Sequence, residues 1–496
     1  MSNTNFKFST SLSDNLKTFK EVFKNDNAII FRELENKYIN NMKCCIVFAD
    51  GMTNKEIINK HIIEPLMNIN LKNLSLKDDI STNNILDVIS KKVITSTDVN
   101  KKSNTDEIIK NILYGDTLIL VDGVEEALMV DTKGWPIRAI EEPKSEKRVK
   151  GPREGFTESI MTNTTLIRRK IKTPDLKFIF SELGTRTKTN ICICYIDGIA
   201  RDEIVTELKT RLQKIIVDGI LDSNYIEEFI KDSPLSLFKT IGNTESPDVA
   251  AGKLLEGRII LMCDGTPFVL TLPYIFLEYF QSYEDYYNNY FYASSNRLLR
   301  ILAFFLGISV PALYLSVATF HQELLPTSLI LSISAARYGI PFPTVVEAIL
   351  MIIVFALQTE AAMRLPTPIG QSLNIVGALI LGDAAVNARI ISAPMVIIVA
   401  ITGIASFLIP KMLGAFAILR IIFLLLASFL GLYGYTFGIM GLFIYLVSLR
   451  SFGVPYMIDT CSINLEDLKD TAIRAPLWLM NLRPKLISKD RTRRSK

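Results

Sequence analysis

The sequence is poor in the residues that zinc sites and many hydrolases need. Its 496 residues include two histidines, His61 and His321, and six cysteines, none of them in a Cys-x-x-Cys pair. No GxSxG, HExxH, Walker A or GxGxxG motif occurs. The missing spacings argue against a zinc site, a serine triad and a nucleotide-binding loop. We therefore expect no enzymatic activity, no catalytic residue, no metal and no cofactor.

Charged residues are scarce in one long part of the chain. The formal net charge of +4 is too small to predict nucleic-acid binding. Residues 1–295 carry most of the charge, whereas residues 298–450 are almost entirely Leu, Ile, Val, Ala, Phe and Gly. The first residues lack the basic and apolar regions of a signal peptide, so we expect the charged half to stay in the cytosol. The pattern predicts an integral membrane protein with a soluble N-terminal half.

The apolar part contains runs as long as a membrane span, which needs about 20 residues. The runs cover residues 301–320, 344–360, 369–388, 390–410 and 412–449. One helix over the last run would be roughly 57 Å long, so we expect two spans there, with a break among Gly431, Gly434 and Gly438. This predicts six crossings, or four to five if weaker runs re-enter the membrane. The basic residues beyond residue 480 predict a cytosolic C-terminus.

Polar side chains interrupt these apolar runs. A charge at membrane depth costs at least about 2.5–3.5 kcal/mol, so it usually faces a cavity or a partner. Glu347, Asn374 and Asp383 are our candidates for a pore or a substrate path. For Asp383, marking a helix end or pairing with another side chain is an equally open interpretation. For Glu360 and Arg420 we favour that second interpretation.

The N-terminal half contains a sequence repeat. Short apolar strands alternate with amphipathic helical segments, which is typical of an α/β domain. Four strands end in Asp-Gly, at Asp50, Asp122, Asp197 and Asp264. Helical patterns follow the first and third, and strands follow the second and fourth, which predicts hairpin turns there. Matching order and spacing favour two copies of one subdomain, at residues 28–140 and 157–275, over a chance recurrence of a common turn dipeptide.

These patterns give a fold class and a division of the chain. We expect an α/β soluble half of two similar subdomains, followed by an all-α polytopic transmembrane domain. The predicted segments are an N-terminal segment 1–27, subdomain 1 at 28–150, subdomain 2 with its linker at 151–290, the transmembrane domain at 298–450, and a basic cytosolic tail at 451–496.

Several segments together resemble one known family. They are GPREGF at 151–156 with the following NTTLIRRKIKTPDL, YEDYY at 283–287, PFPTVVEAIL at 341–350, RLPTPIGQSLNIVGALILGDAAVNA at 364–388 and RAPLWLMNLRP at 474–484. Their order and spacing are similar to those of the A subunits of bacterial spore germinant receptors, the GerA family. The resemblance extends over residues 25–490.

The resemblance implies a location and partners. Such subunits lie in the inner membrane of the dormant spore, with a cytosolic N-terminal domain and a multi-pass membrane domain among lipids. They act with a transporter-like B subunit, which senses the nutrient, and a lipoprotein C subunit. They are thought to form a homo-oligomeric ion channel that opens when nutrient binds and so starts germination. A second branch of the family, VAF-like sporulation proteins, assists germination without being a receptor subunit.

One segment departs from the family pattern. After Glu347 the family resemblance implies further acids and an Arg-Glu-Ala, but Ile352, Ala356 and Thr359 stand at those positions. A pore lined by this segment would therefore be less acidic here, which leaves its ion selectivity open.

Other interpretations remain open at this point. Asn374 and Asp383 in broken, glycine-rich segments would also suit the midplane site of a secondary transporter. Arg153 and Glu154 in the GPREGF loop are candidates for intersubunit contacts, and an internal ion pair is the alternative.

Overall fold

The computed structural model describes residues 8–36, 42–68, 85–96, 98–134, 150–364, 382–458, 470–480, 482–484, 486–490 and 492. Two antiparallel sheets of five strands come first in the chain, and a bundle of helices follows. The predicted fold class is confirmed: an α/β half of two similar subdomains precedes a helical membrane half.

The strands are short and regularly placed. In chain order they are β1 Ile29–Asn36, β2 Met42–Ala49, β3 Val99–Lys102, β4 Asp116–Val121, β5 Ala127–Asp131, β6 Leu176–Leu183, β7 Thr189–Ile196, β8 Gly242–Thr244, β9 Ile259–Cys263, β10 Val269–Leu272, β11 Arg450–Ser451 and β12 Val454–Pro455. The first sheet has the order β1-β2-β4-β5-β3 and the second β6-β7-β9-β10-β8, so the two sheets share one topology.

Helices of the α/β half are α1 Leu12–Val22, α2 Lys55–Ile57 continuing through Ile58–Ile63 and Glu64–Asn68, α3 Ile85–Val88 continuing through Ile89–Val93, α4 Thr105–Leu113, α5 Ile160–Lys170, α6 Asp202–Gln213, α7 Ser223–Ile230 and α8 Pro247–Leu255. The helical half contains α9 Glu284–Tyr287, α10 Tyr290–Thr319, α11 Thr327–Arg337, α12 Thr344–Arg364, α13 Gly382–Asn387, α14 Ala393–Phe407, α15 Leu413–Leu430 and α16 Leu432–Ser448.

Each sheet is covered by helices on both faces. In β2, Cys45 and Val47 pack with α1 and α4, whereas Cys44 and Ile46 pack with α2 and α3. This double burial explains why the strand is an unbroken apolar run instead of an alternating one. Burial also raises the pKa of the Cys44 thiol to about 11, so this cysteine stays protonated and unreactive at neutral pH.

Matching hydrogen bonds relate the two subdomains. The Asp122 carboxylate accepts from Leu12 N at 2.9 Å, and Asp264 accepts from Ile160 N at 3.1 Å. Each of these aspartates closes a hairpin, as predicted, and so caps the first helix of its own subdomain. Because α1 and α5 occupy equivalent places, we propose that each repeat begins with its first helix.

The same equivalence appears one turn further along each first helix. Asn15 Nδ2 donates to Ser9 O, and Asn163 Nδ2 donates to Thr157 O, both at 2.7 Å.

The glycine that follows each predicted Asp-Gly aspartate has a left-handed φ, between 77° and 88°. That conformation favours glycine, which explains why the dipeptide recurs at all four strand ends.

The two subdomains meet at a buried ion pair. Arg168 Nη2 of α5 lies 2.6 Å from Asp26 Oδ2, and neither side chain is more than 2% exposed. The Arg168 guanidinium also stacks over the Phe178 ring, 4.7 Å from its centroid. Beside it, Lys177 Nζ donates to Val22 O at 2.9 Å. Helix α5 therefore joins the first subdomain to the second sheet.

Three described helices are long and apolar enough to cross a membrane, and α14 and α16 are shorter apolar helices. Helices α12 and α14 run in the same direction: Glu347 contacts Ser392 near their starts, and the Phe355 and Phe407 rings lie 6.0 Å apart further on. Gly382 lies near Val396 at the start of α14. Because α12 and α14 are parallel, Arg364 at the end of α12 and Gly382 near the start of α14 lie at opposite ends of the bundle. This arrangement fits an even number of crossings. The count of six stays a prediction.

The predicted break in the last apolar run is confirmed. It lies at Gly431, where φ is 58° and ψ is −136°, between α15 and α16. A Cβ on Gly431 would lie 2.9 Å from Phe320 Cβ, so both conformation and space require glycine.

Replacing Arg168 tests the joint between the subdomains. Arg168→Met leaves the buried Asp26 carboxylate without its charge partner and should lower the free energy of unfolding by about 3–5 kcal/mol. Chemical denaturation of the purified full chain measures this loss. Arg186→Met is the matched control, because its pair with Asp218 has side chains 83% and 80% exposed. The control should cost about 0–1 kcal/mol, and equal losses would contradict the prediction.

Candidate functional site

Glu347 lies inside the helix bundle. Its side chain is fully buried in the first turn of α12. Oε1 accepts hydrogen bonds from both the backbone N–H and the hydroxyl of Ser392, the residue that caps the start of α14. Two helix N-termini therefore converge on one carboxylate. Their positive ends stabilise a negative charge at this place in the membrane half.

Glu347 also keeps unused bonding capacity. Among the described residues, Glu347 Oε2 and the buried Thr344 Oγ1 have no hydrogen-bond partner. A buried acceptor without a partner costs about 1–3 kcal/mol. Glu347 therefore lies in an enclosed polar site of the bundle, and its role in a pore stays a prediction.

The other two predicted membrane positions fall elsewhere. Asp383 lies in α13 and is exposed on the surface of the chain. Asn374 lies outside the described residues. The structure thus places Glu347 and Asp383 in different surroundings, one enclosed by the bundle and the other open at its surface.

Arg420 occupies the middle of α15 and is 6% exposed. Nε donates to Gly307 O at 2.6 Å, Nη2 donates to Thr402 O at 2.9 Å, and Nη2 also contacts the Ser406 hydroxyl. The helix-end or ion-pair interpretation of Arg420 is therefore wrong. Carbonyl and hydroxyl oxygens of α10 and α14 satisfy it.

Pro311 explains the contact between Arg420 and Gly307. Proline has no N–H, so within α10 the carbonyl of Gly307, four residues earlier, has no helical donor. The guanidinium of Arg420 supplies that donor from α15. Glu360, by contrast, pairs with Arg364 at 2.6 Å on one face of α12, as favoured from the sequence.

A double substitution tests this compensation. Arg420→Met should lower the free energy of unfolding by about 1–3 kcal/mol, because the Gly307 carbonyl loses its donor. Adding Pro311→Ala restores a backbone N–H to that carbonyl and should recover part of the loss. Thermal unfolding of the single and double variants in detergent gives the coupling energy. Purely additive effects would contradict the proposed link.

A second polar cluster connects the first long helix to the linker before it and to the tail. Arg297 of α10 has no exposed side-chain surface, and its Nε lies 2.9 Å from Asp285 Oδ2. Its Nη1 lies 2.8 Å from Asp470 Oδ1, after the last helix of the bundle. Arg300 Nη2 lies 2.7 Å from Asp285 Oδ1. We call these four residues the junction cluster.

Electrostatics favours the charged form of Asp285. Burial raises the pKa of its carboxyl, but the hydrogen bonds and charges of Arg300 and Arg297 outweigh burial and hold the pKa below its usual range. The stability that this carboxylate provides is therefore present above the unfolded value of about 3.9 and is lost as pH falls through the lower folded value.

Next to the junction cluster, a further buried ion-pair network stabilises the same region. Glu278 pairs with Lys253 and Arg258, each at 2.7 Å, and all three side chains are at most 7% exposed. Lys253 and Glu278 line one cavity together with Arg300, which places this network beside the junction cluster.

The GPREGF loop packs against its own subdomain. Glu154 lies 3.5 Å from Arg169 and 3.4 Å from Lys170, both on α5. Phe156 is buried, and its N–H donates to Glu245 O at 2.7 Å. Arg153 is exposed. The geometry provides an internal ion pair for Glu154 and leaves the intersubunit role of Arg153 and Glu154 a prediction.

Sequence reasoning missed the junction cluster. Arg297 and Arg300 stand before the first apolar run, and the sequence analysis did not connect them to Asp285 or Asp470. The available signal was the YEDYY segment, in which Asp285 lies among tyrosines, 12 and 15 residues before the two arginines. Asp470 is 173 residues from Arg297, and no local pattern could reveal that partner.

Asp285→Asn tests the junction cluster. Removing this charge leaves two enclosed guanidinium groups with one carboxylate fewer, and the free energy of unfolding should fall by about 3–5 kcal/mol. Asp202→Asn is the control, because its pair with Lys489 has side chains 69% and 59% exposed. Thermal unfolding at neutral pH compares the two. A loss no larger than the control's would rule out a supporting role.

The fold and its polar clusters define a class: a membrane-embedded helical bundle joined to two α/β subdomains. A family model described as "Bacillus/Clostridium GerA spore germination protein" matches residues 17–486. The match covers nearly the whole chain, so this protein belongs to the GerA family.

Individual relatives cover the chain almost completely. It is 40% identical over 491 residues to spore germination protein KA of Bacillus subtilis (strain 168), covering 98% of this chain and 89% of that protein. It is 36% identical to spore germination protein GerLA of Bacillus cereus, covering 92% and 91%. The crystal structure of the N-terminal domain of the A subunit of the Bacillus megaterium spore germinant receptor GerK3 is 37% identical, covers 55% of this chain and 98% of that chain, and gives a TM-score of 0.43.

Proposed function

We propose that this chain is the A subunit of a nutrient germinant receptor in the spore inner membrane. The observation that carries the proposal is the match to GerA proteins over residues 17–486, which includes both the α/β half and the bundle. In this role it acts with a transporter-like B subunit that senses the nutrient and a lipoprotein C subunit. It signals germination and catalyses no reaction.

The proposed orientation has both termini in the cytosol. Tail residues pack on the second subdomain: Ser488 forms a β-bridge with Ala200, and Arg483 Nε donates to Leu255 O at 2.7 Å. The α/β half and the tail therefore occupy one side of the membrane, as the basic tail requires.

We further propose that several copies assemble into an ion-conducting channel. An exposed carboxylate in a membrane half needs water or a neighbouring chain, and Asp383 is exposed on one copy. Glu347 is buried within one copy, so its proposed role is to stabilise the helices next to the path. An oligomer whose copies turn their α13 surfaces toward each other would give Asp383 an aqueous environment.

Potassium release from spores tests the receptor role. Spores of the source organism that lack this chain should lose release for one nutrient class and keep release triggered by other routes. Unchanged release for every nutrient tested would contradict a non-redundant receptor role and favour the VAF-like accessory branch. Substrate uptake by the purified chain alone in liposomes would instead favour a secondary transporter.

Asp383→Ala tests the channel role within the same assay. Removing the charge should impair potassium release or make it independent of nutrient, at unchanged protein level in the spore membrane. Glu360→Gln is the matched control, because this acid is paired with Arg364 on the helix surface and should leave release unaffected. Normal release in the Asp383→Ala spores would remove Asp383 from the proposed path.

A further inference from the structure

An exposed apolar surface lies where the tail crosses the start of α10. On the tail it consists of Ile473, Leu477, Trp478 and Leu479, which are 60%, 56%, 69% and 47% exposed. On α10 it consists of Phe291, Tyr292, Leu298 and Leu299, which are 71%, 60%, 51% and 53% exposed. We call these eight residues the tail–helix patch.

The patch is fixed in place by the residues beneath it. Arg474 N donates to Ser294 Oγ at 3.1 Å, which attaches the tail to the first turns of α10. Pro476 precedes the single helical turn Leu477–Leu479, and the Trp478 ring meets the Tyr290 ring edge-on, 6.2 Å between centroids. The exposed side chains therefore belong to an ordered surface.

Charge is turned away from this surface. The residues 290–302 include two charged side chains, Arg297 and Arg300, and both point inward to the junction cluster, 0% and 15% exposed. Arginines at a helix end usually extend to lipid headgroups. Here the outer face of α10 is left to aromatic and aliphatic groups.

The position of the patch corresponds to the membrane interface. Helix α10 has 30 residues and is thus about 45 Å long, whereas the hydrocarbon core is about 30 Å thick. The charge-free run begins at Ile301, after Arg297 and Arg300, so the excess length lies at the start of the helix and its first turns project beyond the hydrocarbon. The patch continues directly into Leu302 and Phe305, which are 52% and 39% exposed further along α10.

We propose that the tail–helix patch is a lipid-binding surface, seated in the headgroup region of the bilayer on the side of the α/β half. Trp and Tyr are enriched at that depth because an apolar ring can be buried while its polar group stays hydrated. Continuity with the lipid-facing side of α10 favours lipid over a second copy of the chain. The surface holds the tail, and with it Asp470, against the membrane. The proposal is independent of the channel role.

The fluorescence of Trp478 reports the surroundings of the tail–helix patch. The sequence contains two tryptophans, Trp135 and Trp478, so Trp135→Phe leaves Trp478 alone. The full chain is placed in vesicles of equal parts phosphatidylcholine and phosphatidylglycerol, with bromine at shallow or deep positions of the acyl chains. We expect blue-shifted emission, stronger quenching by shallow than by deep bromine, and weak quenching by iodide in the buffer.

Two variants without native tryptophan calibrate the result. Leu302→Trp places the reporter on the membrane part of α10 and should be quenched more strongly by deep bromine. Ile216→Trp places the reporter at a residue that is 83% exposed, beside the β6–β7 turn at the far end of the second sheet. Its emission should respond to iodide alone. Trp478 emission that follows Ile216→Trp overturns the proposal. Blue emission that neither bromine nor iodide quenches would assign the patch to a protein partner and also overturns it.

Discussion

The attachment of the linker and the tail to the first long helix depends on the burial of Arg297. Its guanidinium has no exposed surface, and a buried charge is stable only when counter-charges surround it. The counter-charges come from Asp285, just before α10, and from Asp470, beyond the last helix of the bundle. The linker before α10 and the distant tail must therefore both meet the start of α10 at one point.

The membrane half contains charges that are stabilised in three different ways. Arg297 has carboxylates, Arg420 has carbonyl and hydroxyl oxygens, and Glu347 has the N-termini of two helices. In each case the partner belongs to another helix or segment, so the charge specifies how the helices pack. Apolar packing alone fixes helix rotation weakly, since one leucine face resembles another. The three polar contacts define which residues of the bundle must face one another.

Local patterns predicted the fold far better than the polar contacts. The Asp-Gly turns, the two similar subdomains and the break at Gly431 follow from backbone geometry, which the sequence encodes within a few residues. Arg420 was misassigned because its acceptor is freed by Pro311, more than a hundred positions away. Asp470 was missed because its partner Arg297 lies 173 positions away. Long-range pairs of this kind leave no periodic signal. Glu347 was selected as a candidate because an acid within an apolar run is visible without its partner, and its role stays a prediction.

The two subdomains share a topology but differ in what they contact. Phe238, Tyr274 and Phe276 of the second subdomain belong to the apolar core of the membrane bundle, so this copy is continuous with it. The first copy contacts α5 of the second through Asp26 and Arg168, and α5 packs on the second sheet. Helix α5 thus joins the first copy to the second sheet, and the second copy in turn packs on the membrane core. The two copies of one topology thus differ in their partners: the second packs on the membrane bundle, and the first packs on α5 of the second.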